Sequence, residues 1–425
     1  MAKSHFSSLL PVALSLFALS ACTNDYLSDY EYTVCPEQSI LTDPLPQPQS
    51  PSAPLSQIGQ DAIDGTNRFA LDFYRASSKT TGDNIFLSPF SVGNVLGMLA
   101  NGDDGESRDE ILSLLGFEQN EEGLAKLNEY HSILLSNLPN LDDTSCLFTN
   151  SVWHDYYIPL YRNFLLAINR SYYAADINLS PKGYMGQEFI NQFVRTNTMG
   201  LIENFLDRPI DASVAFLNTA YFKGKWETPF DKSFTADDLF LNQDYSESMV
   251  PFMNTDIECD YAMAQDGTEA IRLPYGKDGS HFSMILIRPS DQINHVPLDE
   301  ALDNDNLKQL NAGFSKRSMF VSLPKFDVTY KNDDTMDILK EMGIQKTCDS
   351  RVGFPLIVDY KDPFYLDCFI HAGRIIVDEE GTEGASSSIG TGNGAESIVF
   401  NRPFCFMIQE NTTGAILFIG SVRKL

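Results

Sequence analysis

The chain has 425 residues, of which 43% are hydrophobic and 21% charged, so a disordered or collagen-like chain is excluded. Lys and Arg number 30 against 58 Asp and Glu, a formal charge of -28. A surface this acidic repels phosphate backbones and anionic lipid, which argues against nucleic-acid partners and basic-patch membrane docking. The seven cysteines include no C-x-x-C pair, so neither a zinc ribbon nor a disulfide-stapled miniprotein is expected.

Lys3 precedes an apolar run from Leu9 to Leu19 that is too short to span a bilayer, and Leu19-Ser20-Ala21 lead into Cys22. Residues 1–21 therefore read as an export signal. Ending at cysteine, the segment resembles a bacterial lipoprotein signal, which implies lipid attachment at Cys22. Thr23, rather than Asp, follows the cysteine. In a Gram-negative cell that points to the outer membrane, on its periplasmic or cell-surface face. From there to residue 56 the chain carries Pro36, Pro44, Pro46, Pro48, Pro51 and Pro54 among Ser and Gln, the composition of an extended spacer. Residues 22–56 are expected to tether the body away from the membrane.

No further linker or repeat interrupts residues 57–425, which read as one domain. Ile58, Ala62, Phe69, Leu71 and Phe73 recur near helical spacing, Ser88-Pro89 opens a helix over 91–99, and Ser107 precedes another. Later runs are strand-like: Phe282–Ile287, Met319–Leu323 and Ala415–Ile419. Helices first and antiparallel strands afterwards predict an α+β fold.

Catalytic signatures are missing: there is no G-x-S-x-G, H-E-x-x-H or P-loop. Gly390–Ala395 matches a loose nucleotide-binding pattern, but Ser386–Ser388 before it and Ser397–Phe400 after it supply no strand-turn-helix. Asp103-Asp104 and Asp303-Asn304-Asp305 lack the Gly and Glu of a calcium loop. No enzyme, cofactor or metal site is expected. Cys146, Cys259, Cys348, Cys368 and Cys405 are read as buried thiols.

The segment after Val377 stands apart. About twenty residues of loop inside a compact domain are uncommon and usually functional or disordered. Here Thr382, Gly384, Ser386, Ser388, Gly390, Gly392 and Gly394 are all small, while size and charge vary at Glu383, Ile389, Thr391 and Asn393. Such alternation suits a strand with one face against a packed core.

The chain resembles the serpin family over nearly all of 57–425. Asn84–Val92, Phe216–Trp226 with Pro229-Phe230, Leu273-Pro-Tyr275, Leu323–Phe326, His371-Ala372, Val377–Glu383 and Phe400–Phe404 follow one another in family order. The resemblance implies three β-sheets, about nine helices and an exposed reactive-centre loop. It further implies a suicide inhibitor that is a monomer. The target protease attacks the loop and forms a covalent acyl-enzyme, and the freed loop inserts into the central sheet before hydrolysis.

Carried over by position, the reactive bond is Ala395–Glu396 and the hinge is Glu379, Glu380, Gly381, Thr382, Glu383, Gly384 and Ala385. Ser88, Ser91, Asn218 and His371 match the polar cluster where the sheet parts, and Trp226 the aromatic at its top. Ala395 suits an elastase-like or subtilisin-like serine protease; a papain-like cysteine protease is the alternative target.

Two departures stand out. Only a short stretch separates Ala395 from Phe400, which leaves cleavage near Ile389 or Asn393 open. Gly384 replaces the family's usual Ala, so four loop glycines cost about 2–4 kcal/mol on insertion, against about a dozen new hydrogen bonds at a net 0.5–1.5 each. Both favour, as the second reading, a non-inhibitory surface lipoprotein of the same fold that acts as a binding module or protease substrate.

Overall fold

The computed structural model describes residues 39–425 except 142, 278, 291–297, 299, 300, 360–363, 367 and 383–395. Glu383, Gly384, Ala385, Ala395, Cys22 and the expected signal 1–21 therefore lie outside the described residues.

Most of the helices come first. After α1 (Ser39–Thr42), α2 (Gln60–Ser78) buries Ile63, Phe69, Ala70, Leu71, Phe73 and Tyr74. The short β1 (Ile85–Leu87) leads into α3 (Pro89–Ala100). Ser88 caps α3 by accepting from the Ser91 N–H, and Pro89 occupies the first turn, where its missing N–H costs nothing. Every residue of α3 is buried, so it is a spine and not a surface helix. α4 (Glu106–Leu115) begins one residue before Ser107 and stops at Gly116 in the left-handed conformation. α5 (Glu121–Asn137) follows.

The four-stranded sheet is built from β2 (Thr144–His154), β3 (Ala175–Ile177), β4 (Val214–Lys225) and β12 (Gly381–Thr382), in the order β12-β4-β2-β3. Between its strands lie α6 (Arg162–Tyr172) and α7 (Gly183–Asn197). A nine-stranded sheet runs β1-β15-β14-β8-β7-β6-β9-β13, with β5 paired to β6. Its strands are β5 (Ala236–Leu241), β6 (Glu247–Met263), β7 (Glu269–Pro274), β8 (Phe282–Arg288), β9 (Ser315–Pro324), β13 (Glu396–Val399), β14 (Phe404–Glu410) and β15 (Ile416–Val422). α8 (Asn304–Gly313) precedes β9. β10 (Phe326–Asn332) and β11 (His371–Val377), separated by α9 (Thr335–Glu341), pair antiparallel as the third sheet. Three sheets with helices outside them are the architecture that the resemblance implies.

The main core fills the space between the sheets. Phe222 of β4 meets Phe282 of β8 and Phe418 of β15 at ring distances of 5.5 and 5.9 Å. β14 and β15 are buried along their whole lengths, which explains their unbroken apolar runs. A second cluster lies on the other face of β4, where Leu217 and Trp153 pack with Ile190, Phe193, Val194 and Leu206 beneath α7.

The Pro-rich segment departs from its sequence reading. Leu45 is buried in this second cluster, its N–H donates to Asn197 Oδ1 at 3.0 Å, and Thr196 and Gln192 of α7 donate to the Leu41 carbonyl. Further on, Ser52 N–H donates to Ser136 Oγ, and Asn137 donates to the Ala53 carbonyl. From Leu41 to Ala53 the chain is a strap across α7 and α5. Proline there sets an extended path that exposes Leu45 to an apolar groove, which composition alone does not reveal. Cys146, Cys259 and Cys405 are buried, Cys348 is half-buried, and Cys368 lies exposed, against the expectation of a buried thiol.

Candidate functional site

The site is a turn and the sheet it enters. β11 ends at Val377, and Asp378 then pairs with Gly381 across a tight reversal: Asp378 N–H donates to the Gly381 carbonyl at 2.9 Å. Asp378 Oδ1 accepts from the Glu380 N–H, an Asx turn that preorganises the bend. Gly381 sits at φ +129°, a conformation reserved for glycine. A Cβ there would lie 2.1 Å from the Gly224 carbonyl oxygen. Past the turn, Gly381 and Thr382 pair antiparallel with Lys225 and Gly224 of β4. The chain after β11 has thus doubled back and begun a strand between β11 and β4.

The turn is pinned from several directions. Trp226 stacks on Tyr275 at 4.5 Å and donates its indole N–H to the Asp378 carbonyl at 2.9 Å. Trp226 and Phe230 backbone N–H groups hold the Glu380 and Glu379 carbonyls. Glu380 pairs with Lys232. Glu379 is 3% exposed and accepts from Lys325 Nζ and Thr235 Oγ1, both at 2.8 Å. Burial pushes the Glu379 carboxyl upward, but the bonds from Lys325 and Thr235 outweigh it and hold the group below its ordinary 4.5.

With a depressed native pKa, this carboxylate stabilises the fold fully above about pH 4.5, and the contribution is lost as pH falls through its lower native value. Glu379→Gln is expected to cost about 1–2 kcal/mol at pH 7, reduced because Lys325 is partly exposed. Melting curves of the two chains should differ at pH 7 and converge as pH falls below the carboxyl's lowered native value. A gap unchanged at low pH would assign the loss to packing instead.

Lower in the sheet, the four expected polar residues form two joints instead of one network. Ser88 N–H donates to His371 Nε2 at 3.1 Å, and Ser88 Oγ donates to the Leu417 carbonyl at 3.0 Å, which ties α3 to β11 and β15. Ser91 takes part through its backbone N–H, while its hydroxyl is buried without a hydrogen-bond partner among the described residues. Asn218 donates to Asn150 Oδ1 at 2.7 Å; Asn150 in turn donates to the Tyr172 carbonyl and to Asn94 Oδ1. Ser91, Asn218 and His371 then converge on one cavity of about 630 Å³ between the lower end of β4, α7 and the start of β11.

A family model described as "Serpin (serine protease inhibitor)" matches residues 64–425. The chain is a serpin. It is 29% identical to Serpin-Z10 of Arabidopsis thaliana over 364 residues, covering 80% of this chain and 91% of that protein. Intracellular coagulation inhibitor 2 of Tachypleus tridentatus is 29% identical over 360 residues, covering 81% and 86%. Among solved structures, the thermophilic serpin tengpin in its native state superposes with a TM-score of 0.77 at 25% identity, covering 90% of this chain and 97% of tengpin. Serpins are generally protease inhibitors and act on target proteases.

At the far end of the reactive segment, Glu396 opens β13, paired in parallel with Met319 of β9, and its carboxylate meets Arg317 at 2.7 Å. The serpin's hinge anchors Lys325, Thr235 and Lys232, and the asparagines 94 and 150, escaped the sequence reading. Asn150 did leave a trace: it is a lone amide in the strand Thr144–His154, whose residues are all buried. A buried amide in such a strand demands a partner.

Proposed function

We propose that this serpin traps a protease with a small-residue preference, elastase-like or subtilisin-like, by inserting its cleaved loop beside β4. The observation that carries this reading is the antiparallel entry of Gly381–Thr382 against β4, a strand already started in the direction that insertion continues. The protease supplies the nucleophile. Its attack on the loop carbonyl forms the acyl-enzyme and expels the new amine of the C-terminal piece. Insertion then pairs backbone groups along β4, whose twelve residues Val214–Lys225 match Gly381–Gly392 one for one. Asn393–Ala395 are left to extend past the lower end of the strand, carrying the acyl group to the opposite pole.

Ala395–Glu396 is the bond that family position proposes. Glu396, held in β13 by strand pairing and Arg317, has to be peeled away before a protease cleft can close over that bond. Cleavage after Ile389 or Asn393 avoids this. No Lys or Arg lies between Arg374 and Arg402, so a strict trypsin-like target is excluded. Attachment through Cys22 places the inhibitor at a membrane surface, with residues from Leu41 onward strapped to the body.

The test mixes the full chain with elastase-like, subtilisin-like and papain-like proteases. It looks for a complex that survives boiling in detergent and takes the mass of the released C-terminal peptide. A complex with a peptide beginning at Glu396 supports mechanism and register together; one beginning at Gly390 or Gly394 moves the bond. Clean cleavage with no complex and no rise in melting temperature supports the binding-module reading instead.

A further inference from the structure

We infer that His154 is a proton-operated latch on the loop 155–161, closed when its ring carries both protons and loosened when one leaves. Three acceptors converge on the ring. Nε2 lies 2.9 Å from Asp176 Oδ1, and Nδ1 lies 3.1 Å from the Asp155 carbonyl and 2.9 Å from the Ile158 carbonyl. A carboxylate and two carbonyls cannot donate, so both nitrogens must, and only the imidazolium carries a proton on each. A neutral ring turns a lone pair toward one of these oxygens. That forfeits a hydrogen bond at a residue that is only 8% exposed.

The latch joins separate pieces at the lower end of the four-stranded sheet. His154 ends β2, and Asp176 belongs to β3, which pairs with β2 over Ser151–Trp153 alone. Otherwise single backbone bonds hold the loop: Asp155 N–H donates to the Ser213 carbonyl, Ile158 N–H to Asp155, Tyr161 N–H to Ile357, and Asp359 N–H to Pro159. The loop displays Tyr156 and Tyr157, 73% and 83% exposed, while Ile158 lines the 630 Å³ cavity beside Val358. Loosening it alters an aromatic surface and one wall of that cavity together.

The charged groups near the ring are few. Asp176 faces it from β3, and the Asp155 carboxylate accepts from Ser180 Oγ at 3.2 Å. Lys182, ahead of α7, pairs with Asp211, and β4 sets the uncharged Val214 opposite His154. Burial pulls the pKa of the ring down, but Asp176 and the two carbonyls outweigh it and hold it above the ordinary 6.5. The latch is thus fully closed below about pH 6.5 and is lost as pH rises through the higher native value.

The test measures hydrogen exchange of the full chain at about pH 6 and about pH 9, as protection factors, so that the chemical exchange rate cancels. Protection at Asp155, Ile158, Tyr161 and Asp359 should fall by about tenfold to a hundredfold, the worth of a hydrogen bond to a charged group, while β14 holds. Asp176→Asn supplies an amide that donates to Nε2, so the neutral ring fits and protection should stay within about twofold over that range. Protection that is flat in wild type, or that falls equally in Asp176→Asn, overturns the inference. So does a His154 ring that titrates by NMR at or below 6.5, a result that needs no variant.

Discussion

The Gly381→Ala variant should be cut by the target protease yet hold very little of it. At φ +129° an alanine is strained by about 1–3 kcal/mol, and its Cβ would also lie 2.1 Å from the Gly224 carbonyl oxygen. The backbone can relieve that clash only by withdrawing β12 from β4, so the strand must be started anew after cleavage. If the strain enters the insertion barrier, insertion slows by about fivefold to more than a hundredfold. Trapping is a race between insertion and deacylation, so the slower chain partitions toward released product. The measurement is the ratio of detergent-stable complex to cleaved chain, compared with wild type at equal protease. Gly381→Ala trapping as efficiently as wild type would mean that the entered strand is incidental. The uncleaved variant should also melt below wild type, because the strained turn is buried against β4 and Trp226. Trapping is therefore compared per cleaved chain at a temperature where both are folded.

That turn shows where sequence reasoning reaches and where it stops. Ordered motifs led to the three sheets, and the period-two pattern of small residues led to a strand in waiting. Both depend on local composition. The anchors of the hinge are not local: Glu379 is 54 residues from Lys325 and 144 from Thr235, and nothing in either neighbourhood declares the pairing. The same limit applies to the polar cluster. Ser88 and His371 do meet, but Asn218 finds Asn150 instead, because β2 and not β11 is the strand hydrogen-bonded beside it. Leu45 was hidden for the opposite reason. Its proline-rich surroundings are those of a spacer, and only the groove beneath α7 turns it into a strap.

Acid should loosen the body through two buried histidines. Burial pulls His371 down to about 4 and His131 down to about 3, from an ordinary 6.5. His131 lies among the rings of Phe90, Tyr130 and Tyr172 with no hydrogen-bond partner among the described residues. In both cases the unfolded chain takes up a proton that the native chain refuses. Stability is therefore full above about pH 6.5 and falls as pH drops toward the native values. By pH 4 each histidine costs about 3 kcal/mol, a large share of a typical domain's total. The two differ in what protonation does locally. His371 accepts from the Ser88 N–H through Nε2, so a protonated ring leaves that N–H unpaired and breaks the joint between α3 and β11. His371→Asn keeps an acceptor without the titration. Its melting temperature should fall about half as much as wild type's between pH 6.5 and 4, His131 supplying the rest. Parallel profiles for the two chains would show that His371 is not held neutral by burial, and the joint would then not be a pH-sensitive one.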